Sequence, residues 1–172
     1  TKGYELDTSF IQEQHHTNPR RLYSQTGADW QYRVDHERLR RQRLERIRAE
    51  MEADDLGALV VFQGANVRYI TGSYQGNWKY NINIRYAVLP RGGDPVLFET
   101  AGSDMRNAHL DLPWLGEENI RPAMTWQWAE GAVGEMADKM VATVKQVLVD
   151  NGVDKEKICL LYTSPSPRDK HR

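Results

Sequence analysis

Asp94, Asp104, His109 and Asp111 are the residues whose types best suit chemistry, since carboxylates and a histidine can hold hard cations that activate water for hydrolysis. The ligand count falls short of that use. Asp94 lies in a turn-rich run, where aspartate commonly bonds its own backbone, and no downstream glutamate pair completes a two-metal set. No metal site and no catalytic residue is therefore assigned within the chain, and no cofactor either. The pair His15-His16 sits in an irregular polar stretch and reads as solvent-exposed. Nucleophilic catalysis has no better support: there is no Gly-x-Ser-x-Gly elbow, and the single cysteine, Cys159, falls in a suspect tail. Gly92-Gly93 stands between two strands, with no helix N-terminus to receive a phosphate.

Arg38, Arg40, Arg41, Arg43, Arg46 and Arg48 form a basic run that would suit nucleic acid, were it not interleaved with Glu37, Glu45, Glu50 and Glu52. Glu37–Arg41, Arg41–Glu45, Arg46–Glu50 and Arg48–Glu52 stand four apart, the spacing of a self-paired helix face in water. The net charge of −1 gives no global field toward nucleic acid or an anionic membrane. No apolar run approaches the length needed to span a bilayer, and no charged-then-apolar leader opens the chain. The expectation is a cytoplasmic protein with neither nucleic-acid nor membrane partners.

These residues have to be held by elements that the pattern outlines. At 172 residues and 40% hydrophobic, the chain suits one domain with its own core. Residues 1–34 are polar, with scattered Phe10, Ile11, Leu22, Tyr23 and Trp30, and read as an extended arm lying on a partner surface. Asp35 is an N-cap candidate before a run without Gly or Pro to Leu56, in which Leu44, Ile47 and Met51 recur at helical spacing. Ala58 to Phe62 is a continuous apolar run of strand length, suited to burial on both faces. Val67 to Thr71 is expected as a second strand and Arg85 to Leu89 as a third. The turn cluster Pro90–Pro95 then makes residues 85–99 a β-hairpin. Ser103 is expected to cap a short helix through Leu110, Ile120 to Trp126 to form a strand, and Gly131 to Val149 to form a helix closed by Asn151-Gly152. A further strand begins at Lys157-Ile158. The fold class is α/β, a mixed sheet flanked by helices, over residues 35–158.

Residues 159–172 are set apart. Cys159 to Asp169, CLLYTSPSPRD, looks like the in-frame translation of a transposase sequencing adapter, as in a metagenomic read ending inside a gene. The expectation is that nothing from Cys159 onward packs as a native element.

Asn66-Val67-Arg68-Tyr69-Ile70-Thr71-Gly72 resembles the N-x-x-Y-[LI]-T-G element that follows the first buried strand in N-terminal domains of the creatinase / aminopeptidase P (Xaa-Pro peptidase) family. The preceding RLERIRAEMEADDLGALVV and the following RYAVLPRGGDPVLF resemble the family's neighbouring helix–strand and hairpin, in the same order. The resemblance implies a creatinase N-terminal-like fold, non-catalytic, in an enzyme whose absent C-terminal domain carries an Asp-Asp-His-Glu-Glu set for two divalent ions (Mn, Zn, Co or Fe). No position here matches that set. It also implies a homodimer in which one subunit's N-terminal domain helps wall the other's active site. The candidates for such a wall or dimer face are Arg68, Tyr69, Tyr74, Trp78 and Tyr80, with Asn66, Thr71 and Gly72 shaping the turn. Trp114, Trp126 and Trp128 add to the aromatic excess. Two readings stand for the aromatics: Tyr69 and Trp78 face a partner or substrate, or they tuck into the core. The run NVRYITGS…W also resembles the dimethylsulfoniopropionate lyase branch, so proline peptide, creatine-like amide and sulfonium zwitterion all stand open as substrates. A stand-alone binding or scaffold domain is the competing reading.

Overall fold

Asp35 opens the first helix in the manner its side chain allows: its carboxylate accepts the backbone N–H of Arg38 at 2.9 Å, satisfying a donor that the helix cannot. The computed structural model describes residues 34–73, 85–123 and 130–161. The chain divides into two units, Thr1–Arg41 and Gln42–Arg172. Of the first, residues 34–41 are described, the opening turns of helix α1 (His36–Ala53). The sheet, the remainder of α1 and the other helices belong to the second.

In chain order α1 is followed by β1 (Ala58–Val61), α2 (Gly64–Thr71), β2 (Tyr86–Pro90), β3 (Val96–Glu99), α3 (Ser103–Asp111), a 3-10 turn (Glu117–Asn119), β4 (Ile120–Pro122), α4 (Val133–Asp150) and β5 (Ile158–Leu161). The five strands form one mixed sheet in the order β4-β3-β2-β1-β5. β1–β2 and β2–β3 are antiparallel, whereas β1–β5 and β3–β4 are parallel. Both faces are covered, which explains why β1 and β2 are apolar throughout rather than alternating. Val61, Ala87, Leu89 and Leu97 meet Leu44 and Met51 of α1, Val67 and Ile70 of α2 and Ala108 of α3. On the other face Val60, Tyr86, Val88 and Phe98 meet Met140, Val147 and Leu148 of α4. Among the described residues no helix is long and apolar enough to cross a membrane.

Four expectations are corrected by this fold. Val67 to Thr71 is helical, the larger part of α2, because Gly64, Val67, Ile70 and Thr71 bury one face at a spacing of three to four. Packing of that face outweighs the β-branched character of five residues read alone. Ser103 does not cap α3: Gly102 holds the N-cap with φ 94° and ψ −131°, a conformation closed to serine at ordinary cost. Arg48 does not answer Glu52 along α1 but reaches the β2–β3 turn, donating to Gly93 O at 2.7 Å and pairing with Asp94 at 3.4 Å. Finally, β5 runs through Cys159, Leu160 and Leu161, three residues of the segment expected to stay unpacked. Its backbone pairs with β1 as Leu59↔Cys159, Val60↔Leu160 and Val61↔Leu161. A ladder of main-chain bonds needs only apolar, strand-compatible side chains, which these three supply. Residues 162–172 lie outside the described residues, as do 1–33, which hold most of the expected arm, and 124–129, which include the last three residues of the expected Ile120–Trp126 strand.

Gly72 closes α2 in the left-handed region, φ 80°, with its N–H on Arg68 O at 2.8 Å. Gly72→Ala is therefore expected to lower stability by about 1 kcal/mol in urea unfolding, the order of cost for a β-carbon at a left-handed cap. An unchanged midpoint would show that the cap can re-form without positive φ.

Candidate functional site

Arg85 and Glu99 stand one register step beyond the pair Tyr86↔Phe98, at the open end of the β2–β3 hairpin and on the sheet face that α1, α2 and α3 cover. Their side chains pair at 2.6 Å, only 8% and 5% exposed. α2 brings its C-terminus to the same point. Arg85 Nη2 donates to Ser73 Oγ at 2.5 Å, and the Ser73 and Thr71 hydroxyls lie 2.8 Å apart. Thr71 Oγ1 donates to Val67 O at 2.8 Å and accepts the Ser73 N–H at 3.1 Å. With the single Thr71 proton committed to Val67, the Ser73 hydroxyl is left to donate to Thr71 Oγ1 and to accept from Arg85. Thr100 N–H donates to Glu99 Oε1 at 3.0 Å, so the carboxylate has a second partner. Thr71, Ser73, Arg85 and Glu99 are all buried.

Burial dominates the electrostatics here. It pushes the Glu99 carboxyl up from its ordinary value, against the pull of Arg85 and the Thr100 N–H, and it brings Arg85 down, against the pull of Glu99 and Asp104. On the opposite face burial likewise raises the Tyr86 phenol well above its usual range. That hydroxyl finds no hydrogen-bond partner among the described residues. The Tyr86 ring stacks on Phe98, with centroids 4.5 Å apart.

The remaining residues singled out by the motif scatter along α2. Asn66 is at its first turns, where its amide donates to Gln63 Oε1 at 3.4 Å rather than to the turn backbone. Arg68 and Tyr69 are on the outer side, exposed, and Arg43 of α1 lies over the Tyr69 ring at 4.9 Å. Ile70 faces the core, whereas Tyr69 is 36% exposed. Tyr74, Trp78 and Tyr80 lie outside the described residues, and so do Trp126 and Trp128. Trp114 is half-buried against the core. Arg85 and Glu99 were not anticipated, and neither was the burial of Ser73, which opens the run expected to face a substrate. The available signal was a charged residue at each free end of the hairpin, since counting back from the Pro90–Pro95 turn sets Arg85 opposite Glu99.

The metal-ligand candidates do not converge. Asp94 is engaged by Arg48 in the hairpin turn, Asp104 is in the first turn of α3, and His109 is in its last turn. Among the described residues no three of His, Cys, Asp or Glu are grouped to hold an ion, so the residues present do not fit the dinuclear metal set that the family resemblance implies. A groove of about 240 Å³ lined by His109, Leu112, Pro113, Gly116, Glu117 and Ile120 is smaller than ordinary ligand pockets and stands on other residues than the buried network.

By architecture this is a mixed-sheet α/β domain with a buried polar network at one end of its central hairpin. A family model described as the creatinase/prolidase N-terminal domain matches residues 43–161, and the chain belongs to that family. No curated protein matches the chain.

Proposed function

We propose that the chain serves as the dimer-forming and substrate-lining N-terminal domain of a cytoplasmic dinuclear-metal hydrolase of the Xaa-Pro peptidase/creatinase type. The metal-activated water belongs to a separate catalytic domain of that parent enzyme, and nothing in this domain takes a chemical step. The observation carrying the reading is the placement of the family motif. Its buried residues, Val67, Ile70 and Thr71, anchor α2, while Arg68 and Tyr69 stay on the outside, immediately before a segment containing Tyr74, Trp78 and Tyr80. Aromatic and arginine side chains presented together are the types that dominate interface energetics.

Trp78→Ala provides the test. In the full-length parent it is expected to raise KM or weaken dimerisation about tenfold, a typical loss for an interface aromatic, while leaving this domain's unfolding midpoint nearly unchanged. A loss of about 3–5 kcal/mol in the isolated chain would make Trp78 a core residue and remove it from the wall. The parent gene should also encode an Asp-x10-Asp pattern followed by His and two Glu; a parent gene lacking it would favour a stand-alone binding domain.

A further inference from the structure

We infer that Asn151-Gly152 is a deamidation site, held unreactive by the cap of α4 and opened to reaction when that cap frays. The inference goes beyond the wall reading and does not depend on it. The chain has a single Asn-Gly pair, and it falls at this cap. Asparagine before glycine cyclises readily because no side chain shields the attacking nitrogen. In the reaction the Gly152 backbone nitrogen loses its proton and bonds to Asn151 Cγ, the Cγ–Nδ2 bond breaks, and ammonia leaves. Water then opens the cyclic imide at either carbonyl, giving aspartate or isoaspartate. The net exchange is a water taken up for an ammonia lost, with no oxidant, reductant or second protein. Asn151 and Gly152 are both exposed, so water has access.

The cap keeps both reacting groups out of line. Asn151 Nδ2 donates to Val147 O at 2.8 Å. Gly152 N–H donates to Val149 O and Val153 N–H to Leu148 O, each at 3.0 Å, with Gly152 left-handed at φ 68°. These are the paired bonds of a Schellman motif, and its usual apolar closure is present, since Val153 and Leu148 are buried in one core cluster. The Asn151 ψ of 4° eclipses the Gly152 nitrogen with the Asn151 nitrogen, whereas ring closure needs it beside Cβ. Reaction therefore waits on opening of the motif. Its product would matter to the neighbouring turn, because Asn151 Oδ1 takes up the space where a Cβ on Gly93 would stand. Aspartate replaces the Nδ2 donor by an oxygen facing Val147 O at the negative end of α4, and isoaspartate lengthens the backbone through the paired bonds. Either product loosens the end of α4 from the β2–β3 turn.

The test incubates the whole 172-residue chain at mildly alkaline pH, folded and in denaturing urea. Conversion is read by mass in the tryptic fragment 146–155, with isoaspartyl methyltransferase labelling for the iso product. The folded chain should convert at least about tenfold more slowly than the chain in urea, as for a group exposed only by local opening. Val153→Ala weakens the closure without touching either reacting residue, and should raise conversion in the folded chain about tenfold. Val67→Ala, the same truncation on the opposite face of the sheet, should change it less than about twofold, since local opening precedes global unfolding. Asn151→Asp, which makes the product directly, should lower the urea midpoint. Equal rates in the folded chain and in urea, or equal acceleration by the two valine variants, would overturn the gating by the cap. Absence of conversion in urea would overturn the site itself, and an unchanged midpoint for Asn151→Asp would overturn the loosening of α4.

Discussion

Arg85→Ala is expected to lower the unfolding free energy by about 3–5 kcal/mol at neutral pH, the range for breaking a buried ion pair on one side. The Arg85–Glu99 contact at 2.6 Å lies almost wholly out of water, and removing the cation leaves a carboxylate with no charge partner in the pair. The deficit should depend on pH in a definite direction. Burial already raises the Glu99 carboxyl in the folded state, and Arg85 is the main influence holding it down. Without Arg85 the folded carboxyl rises further above its unfolded value. A carboxyl raised on folding contributes stability that is complete below its unfolded range, near pH 4–5, and lost as pH climbs through the folded value. The gap between wild type and Arg85→Ala should accordingly widen from pH 4.5 to pH 7 in urea titrations followed by circular dichroism. A loss under about 1 kcal/mol at pH 7, or a gap that narrows with rising pH, would mean that the pair is solvated in solution. As a control, Arg85→Met combined with Glu99→Leu should recover most of the loss, since paired removal leaves no charge stranded.

Most of the framework could be read from the sequence because its signals were local. Asp35 announced the start of α1, the runs Ala58–Phe62, Arg85–Leu89 and Val96–Phe98 announced the central strands, and Pro90–Pro95 announced the turn between β2 and β3. α2 was misread for a physical reason: with Val67, Tyr69, Ile70 and Thr71 in five residues, local propensity favours a strand. Only burial of Gly64, Val67, Ile70 and Thr71 on one face tells against it, and burial is a tertiary fact. Glycine caps behave alike, in that Gly102 and Gly72 matter through positive φ, which composition does not disclose.

The site was legible in a different proportion. The motif led to α2, but the residues given a surface role and the residues forming a network turned out to face opposite ways: Arg68 and Tyr69 outward, Thr71 inward with Ser73. Arg85 and Glu99 are far apart in sequence and ordinary in type. What makes them a pair is the hairpin register, and what makes the pair a network is the arrival of α2's C-terminus beside it. The arginines of α1 teach the same lesson. Their four-residue spacing with glutamates predicts a solvated face, yet Arg48 is drawn to the hairpin turn and Arg43 to the Tyr69 ring. Charge spacing within a helix describes what could pair, and the neighbouring elements decide what does.

Phe98→Ala should be at least as damaging as the loss of Arg85, through packing rather than charge. Phe98 is fully buried in β3, paired to Tyr86 on one side and Arg121 on the other, and its ring stacks on Tyr86 at 4.5 Å beneath α4. Truncation removes the stack and leaves a cavity bounded by strands that cannot close in without breaking their ladders, so a cost of about 3–5 kcal/mol is expected. Domains of this kind have only about 5–15 kcal/mol in total. The neighbouring residue in β3 is Glu99, and the residue preceding Tyr86 is Arg85, so the two sites share both strands on opposite faces of the sheet. Their effects should therefore couple by about 0.5–3 kcal/mol instead of adding, as for residues within contact distance. Urea unfolding of Phe98→Ala, Arg85→Ala and their combination would measure this, with Phe98→Leu expected to retain much of the packing. A Phe98→Ala loss under about 1 kcal/mol would show that the α4 face can repack around the gap, and strict additivity would show that the buried network and the aromatic stack are independent supports of the hairpin.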